Sequence, residues 1–214
     1  MKRFAVALAV AVIHLLGSNE VSLAQHKHKH EMKSMGRADS SREQYDTKGS
    51  AVVKTMADTI STPRVVDSKV AASIKGIVEH YLQLKNSLAN DKTKDAAAAG
   101  KEIVDVMGTV DKSLFTADQK KLYADVEDDA REHAEHIGAN AGNIEHQREH
   151  FDLLSKDVYD LVKAFGSGQV LFKDFCPMYN DKKGAMWLSE IKTIKNPYYG
   201  KKMSTCGSVQ EELK

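Results

Sequence analysis

The strongest constraint on the fold is an apolar periodicity that begins at Val66. Apolar residues recur there at steps of three and four, which is the spacing of one face of an amphipathic helix. They are Val66, Val70, Ile74, Ile77, Tyr81, Leu84 and Leu88. The pattern stops at "NDKTKD", residues 90–95. The sequence therefore predicts a first amphipathic helix that buries one face against other elements.

Three further helices follow with short connections. The second runs over about residues 94–110, the third begins after Thr116, and the fourth covers about 143–165. Thr116 with Gln119 three residues later is the pattern of a capping box. The apolar face of the second helix is formed by Ala97, Ile103, Val104 and Met107. That of the third is formed by Leu122, Val126 and Ile137, and that of the fourth by Ile144, Phe151, Leu154, Val158, Leu161 and Phe165. This succession predicts a mainly α fold, an antiparallel four-helix bundle.

After "GSG" the helical periodicity ends. Two apolar pieces, "VLFKDF" (170–175) and "AMWLSEI" (185–191), flank the turn sequence "NDKKG". Such an arrangement favours two short strands joined as a hairpin. We expect this irregular C-terminal segment with a short β-hairpin to pack on the bundle, because it is too small to bury itself. Trp187, Tyr198 and Tyr199 are expected to bury area there.

The N-terminus has the pattern of a secretory signal peptide over residues 1–24. Lys2 and Arg3 precede a short apolar run, and the small residues Ser22 and Ala24 stand before the expected cleavage site. A lipid anchor is not expected, since no cysteine lies near that site. No later apolar run approaches the roughly 20 residues of a membrane-spanning helix. The mature protein is therefore predicted to be periplasmic or secreted.

Residues 25–62 are predicted to be a polar, disordered tail that contains the tract "HKHKH" at 26–30. By composition this tract either binds metal ions weakly and without selectivity or is a solvated tail without a function. Residues 63–214 then form the one folded domain. Without residues 1–24 the chain has 29 basic and 29 acidic residues. This balance, with no basic stripe, argues against a nucleic-acid partner.

The two cysteines of the chain each have a methionine close by. Cys176 and Met178 flank Pro177, which favours an extended Cys176 and thus a thiol and a thioether on one face. Met203 and Cys206 are three apart, as on one helical turn. Four sulfur ligands would suit Cu(I). Alternatively, an exported cysteine pair forms a disulfide, and the methionines then fill the core.

Histidines form a second group of candidate metal ligands. His133 and His136 are three apart on the third helix, and His146 and His150 are four apart on the fourth. Both spacings place a pair on one helix face, and an antiparallel hairpin of consecutive helices would bring the pairs together. A solvated charged face is the alternative. His80, on the first helix, is a further candidate.

Four stretches of the sequence resemble a family of uncharacterised bacterial periplasmic domains. They are "HYLQLKNSL", "QREHFDLLS", "CPMYNDKKGAMWLS" and "IKNPYYGKKMSTCG", within residues 65–212. Domains of this family occur alone or fused to the C-terminal end of heavy-metal efflux adaptors of the copper and silver type. The resemblance implies a context of metal handling, with an efflux adaptor as a partner, and no established activity.

The expected function is an exported binding protein for a soft metal ion, with Cu(I) first, that serves metal efflux or homeostasis. An alternative is a non-catalytic interaction module, stapled by a Cys176–Cys206 disulfide, that docks on an efflux adaptor or another envelope protein. An enzyme is not expected, because the sequence has no redox "CxxC", no "GxSxG", no phosphate loop and no "HExxH".

Overall fold

A computed structural model of the protein describes residues 65–214. The predicted signal peptide (1–24) and the tail (25–62) with its histidine tract lie outside the described residues. Four long helices are followed by three strands: α1 Ser68–Ala89, α2 Thr93–Met107, α3 Ala117–Ala139, α4 Ile144–Phe165, β1 Leu171–Cys176, β2 Ala185–Ser189 and β3 Ser208–Leu213.

The four helices form the predicted bundle. Each helix packs against the next one in the chain, and α1 also packs against α4, which closes the bundle. The apolar faces seen in the sequence meet in one continuous core. The capping box at the start of α3 is confirmed: the Gln119 backbone N–H donates to Thr116 Oγ1 over 3.3 Å, and the Thr116 N–H donates to Gln119 Oε1 over 3.0 Å. Among residues 65–214, no helix has the length and apolar character to cross a membrane.

Helices α2 and α3 approach closely at a pair of glycines. A Cβ atom added to Gly100 would lie 2.9 Å from the Ala134 carbonyl oxygen, and one added to Gly138 would lie 2.9 Å from Lys101 Cγ. A larger residue at either position would push the helices apart. The contact fixes the C-terminal half of α3, which carries His133 and His136.

The C-terminal segment forms an antiparallel sheet with the strand order β2-β1-β3. The β1–β2 hairpin was predicted, and it pairs Phe172 with Ser189 and Cys176 with Ala185. Strand β3 was not predicted, because its sequence "SVQEEL" has no apolar alternation. It is a mostly exposed edge strand that pairs with β1 across a bulge between Lys173 and Asp174.

The sheet packs on α1 and α4 through β2. Tyr81 of α1 joins the three elements: its hydroxyl lies 2.8 Å from Ser155 Oγ of α4 and accepts the Leu188 N–H of β2 over 3.0 Å. Trp187 and Tyr198 are fully buried, as expected. Tyr199 is only half-buried.

The loop after β2 is held by one buried arginine. Arg148 of α4 donates from Nε to the Pro197 carbonyl over 2.7 Å and from Nη2 to the Leu88 carbonyl over 3.0 Å. Nη2 also lies 2.7 Å from Asp91 Oδ1, in the turn between α1 and α2. The guanidinium thus connects α4, that turn and the C-terminal loop.

A half-buried carboxyl group lies in the α3–α4 side of the bundle. The Oδ2 atom of Asp157 is buried and has no hydrogen-bond partner among the described residues. Burial, followed by repulsion from Asp129 and Asp160, raises the pKa of Asp157 to about 7. The ionised form is therefore unfavourable in the folded protein.

We expect Asp157→Asn to stabilise the protein at pH 8. In the unfolded chain this carboxyl ionises near pH 4 and in the folded protein near pH 7, so the free energy of unfolding falls between these values as the pH rises. The full shift would correspond to about 4 kcal/mol, and partial exposure reduces the expected gain to about 1–2 kcal/mol. Urea unfolding at pH 4 and pH 8 measures it.

Asp125→Asn is the matched control, because Asp125 lies exposed on α3. Its free energy of unfolding should stay within about 0.5 kcal/mol of the original protein at both pH values. A loss of stability of Asp157→Asn at pH 8 would contradict the assignment of an unfavourable charge to this position.

Candidate metal centre

The antiparallel packing of α3 and α4 brings the two histidine pairs together. Rings of His136 and His150 are stacked, with centroids 4.3 Å apart and an interplanar angle of 11°. The His146 ring stands edge-on to that of His150, with centroids 4.5 Å apart. The predicted convergence of the pairs is present in the structure.

Three of these histidines offer ligand atoms to one point. One ring nitrogen each of His136, His146 and His150 lie within 4.8 Å of one another. Two nitrogens bound to a tetrahedral ion at 2.0–2.1 Å are about 3.3 Å apart. Small rotations of the rings would close this difference, because none of the three is fully buried. Within residues 65–214, no other set of three or more His, Cys, Asp or Glu side chains converges in this way.

His133 lies beside the triad and contacts His150. Their Nδ1 atoms are 3.1 Å apart, a hydrogen-bond distance, so one ring donates and the other accepts. When His150 donates, its Nε2 carries the lone pair that a metal ion needs, and His133 fixes the ring orientation. His133 is thus placed either to orient His150 or to supply a fourth nitrogen.

The environment keeps two of the imidazoles neutral. Burial, with repulsion from the other three histidines, lowers the pKa of His150 to about 4. Burial also lowers the pKa of His133. Metal ions bind the neutral ring, so neither of these side chains has to lose a proton at neutral pH before an ion binds.

Two carboxylates flank the triad. Glu132 Oε1 lies 3.9 Å from His136 Nε2, and Glu149 Oε2 lies 3.7 Å from His146 Nδ1. Their negative charges favour a cation in the cluster, and carboxylates next to metal-binding imidazoles orient the rings. The sequence interpretation missed these two residues, although their spacing of four and three from the histidines was visible.

His80 does not take part in this cluster. It lies on α1, where its Nδ1 is 3.3 Å from Oε1 of Gln83. His80 is not among the residues that converge on a common point. It therefore serves as a reference histidine outside the site.

The predicted sulfur site is brought together only in part. Cys176 is buried at the end of β1, Cys206 is half-buried, and their Sγ atoms are 2.9 Å apart. A hydrogen bond to Cys176, together with burial, raises the pKa of the Cys206 thiol. The backbone N–H of Cys206 donates to the Met203 carbonyl over 3.1 Å, so the two residues lie at the ends of a four-residue turn that is not helical.

The two methionines are exposed, with 45% of Met178 and 41% of Met203 accessible. Core filling is therefore the wrong explanation for them. The extended geometry that was expected to align Met178 with Cys176 is also wrong, because the strand ends at Cys176 and the chain turns at Pro177. The turn leaves Cys176 in the core and Met178 at the surface.

The separation of the two Sγ atoms bears on their chemistry. Two sulfurs that bind one tetrahedral ion at about 2.3 Å lie about 3.8 Å apart, whereas a disulfide bond is about 2.05 Å long. At 2.9 Å the two sulfurs lie about midway between these distances, so oxidation would bring them closer together and a metal ion would require them to separate.

In the comparisons with known proteins, part of the chain matches one domain family of unknown function. Residues 77–170 match the family described as "Protein of unknown function (DUF3347)". The matched range contains His80 and the four clustered histidines, and it ends before both cysteines. Comparison with curated proteins gave no match, and neither did comparison with solved structures.

We expect oxidation of the reduced protein to give an intramolecular Cys176–Cys206 disulfide without a change of fold. The closed loop of about 30 residues should raise the free energy of unfolding by about 3–4 kcal/mol in the chain-entropy model. Thiol titration and urea unfolding measure both effects, with the Cys176→Ser/Cys206→Ser double variant as the reference. Persistent thiols or disulfide-linked dimers would contradict the expectation.

Proposed function

We propose that this protein is an exported, non-catalytic binding protein for a transition-metal ion. The observation that carries the proposal is the convergence of ring nitrogens from His136, His146 and His150 within 4.8 Å. Imidazole is a good ligand for copper, zinc and nickel. The flanking carboxylates of Glu132 and Glu149 support a cation at the same place.

Copper is the ion that we propose. Among divalent first-row ions, Cu(II) binds nitrogen ligands most tightly. In its reduced state, copper is also the ion that the thiol and thioether groups of this chain would favour. One element is therefore compatible with both sets of candidate ligands, whereas zinc and nickel leave the exposed methionines unexplained.

The position of the triad suits an exchangeable ion. Structural metal sites are closed by four protein ligands. Here His136 is exposed, and the triad leaves a coordination position for water, for His133 or for a ligand from another protein. An ion that is reachable from the surface can be passed on, which fits a carrier or a buffer.

The link to efflux rests on the resemblance of the chain to periplasmic domains found with copper and silver efflux adaptors. In this proposal the signal peptide directs the protein to the periplasm, and an efflux adaptor receives the ion. Export also matches the predicted N-terminal segment over residues 1–24.

Replacement of His136 or His150 by Ala should weaken Cu(II) binding by more than about 100-fold, because each removes one of three ligands. The measurement is calorimetric titration with a competing chelator, and circular dichroism checks that the helices persist. His80→Ala is the matched control and should retain full affinity. Equal losses in all three variants, or no loss in any, would contradict the triad.

A second candidate is a Cu(I) site made of Cys176, Met178, Met203 and Cys206. It is favoured by the exposure of both thioethers, each within three residues of a cysteine in the sequence, and by the contact between the two thiols. This site requires reduced cysteines, because a disulfide has no thiolate to offer. In the oxidised form the same region would be held by the Cys176–Cys206 disulfide and would serve as a surface that docks on an adaptor.

For this second site, Met178→Leu/Met203→Leu should lower the Cu(I) affinity of the reduced protein at least about tenfold, since it removes two soft ligands. Leucine keeps most of the volume, so the loss of stability should stay below about 1.5 kcal/mol. Competition with a Cu(I) chelator under anaerobic conditions measures the affinity. Unchanged Cu(I) binding would exclude the thioethers as ligands.

A further inference from the structure

A cavity of about 480 Å³ lies between α4 and the C-terminal segment, and none of the clustered histidines lines it. Three carboxylates line it: Glu149 and Asp152 from α4, and Asp181 from the turn between β1 and β2. Tyr179 and Tyr199 supply the aromatic part of the wall. The volume is in the range of small-molecule sites.

Asp152 differs from the other two carboxylates of the wall because it is almost fully buried. It is 6% exposed, and its Oδ1 has no hydrogen bond among the described residues. Lys156 forms an ion pair with Asp152, and its exposed Nζ lies 3.4 Å from Oδ1. Burial raises the pKa of Asp152, although Lys156 opposes this effect. A buried carboxylate with this little compensation is stabilised when a positive charge enters the cavity.

The two tyrosines form a corner. Their rings are nearly perpendicular, with centroids 6.0 Å apart and an interplanar angle of 83°. Tyr179 is held by stacking on buried Tyr198, and the Tyr199 hydroxyl donates to the Met178 carbonyl over 2.8 Å. Aromatic faces fixed in this way attract cations through the ring quadrupole.

Asp181 is fixed by an unusual turn. Asn180, Asp181 and Lys182 all have positive φ, with values of 51°, 54° and 66°. Three successive non-glycine residues in this region cost conformational energy, so the surrounding contacts must maintain them. The turn places Asp181 in the wall of the cavity, on a different element from the two carboxylates of α4.

We propose that this cavity binds a small organic cation that carries two or more protonated amines. Acidic groups on both sides suit a cation that is extended rather than compact, and the tyrosine corner suits its methylene and ammonium groups. The carboxylates of Glu149, Asp152 and Asp181 do not converge within 4.8 Å as the imidazoles do. A single metal ion would therefore reach only some of them.

This site is independent of the proposed metal function, since no residue that supplies a histidine nitrogen lines the cavity. Glu149 alone belongs to both regions, through its contact with His146. We therefore leave Glu149 unchanged in the test and use Asp152 and Tyr199.

The probes are 1,4-diaminobutane and spermidine, titrated calorimetrically into the metal-free full-length protein. Saturable binding of at least one of them at one site per chain is expected. Asp152→Asn should weaken it at least about tenfold, because it removes a charged hydrogen bond. Tyr199→Leu should weaken it several-fold. Asp152→Asn should fold normally, since burial already disfavours the charge of this residue.

Asp160→Asn, an equal change of charge at an exposed position of α4 outside the cavity, is the control and should bind as the original protein does. The proposal is overturned if neither probe binds saturably or if Asp152→Asn and Asp160→Asn lose affinity equally. It is also overturned if Ca²⁺ binds at the same site more tightly than both amines, which would make this a divalent-cation site.

Discussion

The interaction on which the rest of the structure depends is the contact of Arg148 with Asp91 and two backbone carbonyls. The guanidinium is 8% exposed, and its donors satisfy the end of α1 and the loop at Pro197. Gly200 belongs to the same contact, because a Cβ there would collide with Asp91 and Arg148. Without Arg148 these carbonyl and carboxylate oxygens would lose their hydrogen-bond donor in a low-dielectric interior. The C-terminal segment would also lose this attachment to the bundle.

One stretch of α4 therefore organises the molecule. Successive side chains contact different neighbours. Gln147 donates to the carbonyls of Thr93 and Ile137, and Arg148 holds the C-terminal loop. Glu149 borders the cavity, and His150 belongs to the histidine cluster. A helix turns by about 100° per residue, so four consecutive residues cover its whole circumference. Both candidate sites are thus positioned by the same turn of a helix that is buried on three sides.

The sequence predicted what periodicity encodes and missed what depends on tertiary contacts. The helices, the capping box at Thr116 and the meeting of the histidine pairs follow from spacing along α3 and α4. Strand β3 could not be predicted, because a polar edge strand owes its structure to pairing with β1 and not to its own pattern. The extended Cys176–Met178 geometry failed because strand β1 ends at Cys176, where the chain leaves the sheet and turns at Pro177.

The two sets of candidate metal ligands differ most in the protons that they would have to release. The half-buried imidazoles of His133 and His150 have lowered pKa values and are neutral at pH 7. The thiols of Cys176 and Cys206 share a hydrogen bond that raises the pKa of Cys206. Binding at the sulfurs must therefore break that contact, release protons and move Sγ atoms that lie 2.9 Å apart. In an oxidising compartment the thiols are also lost to the disulfide. The histidine cluster has neither restriction, so the proposed ion would bind there in both redox states of the cysteines.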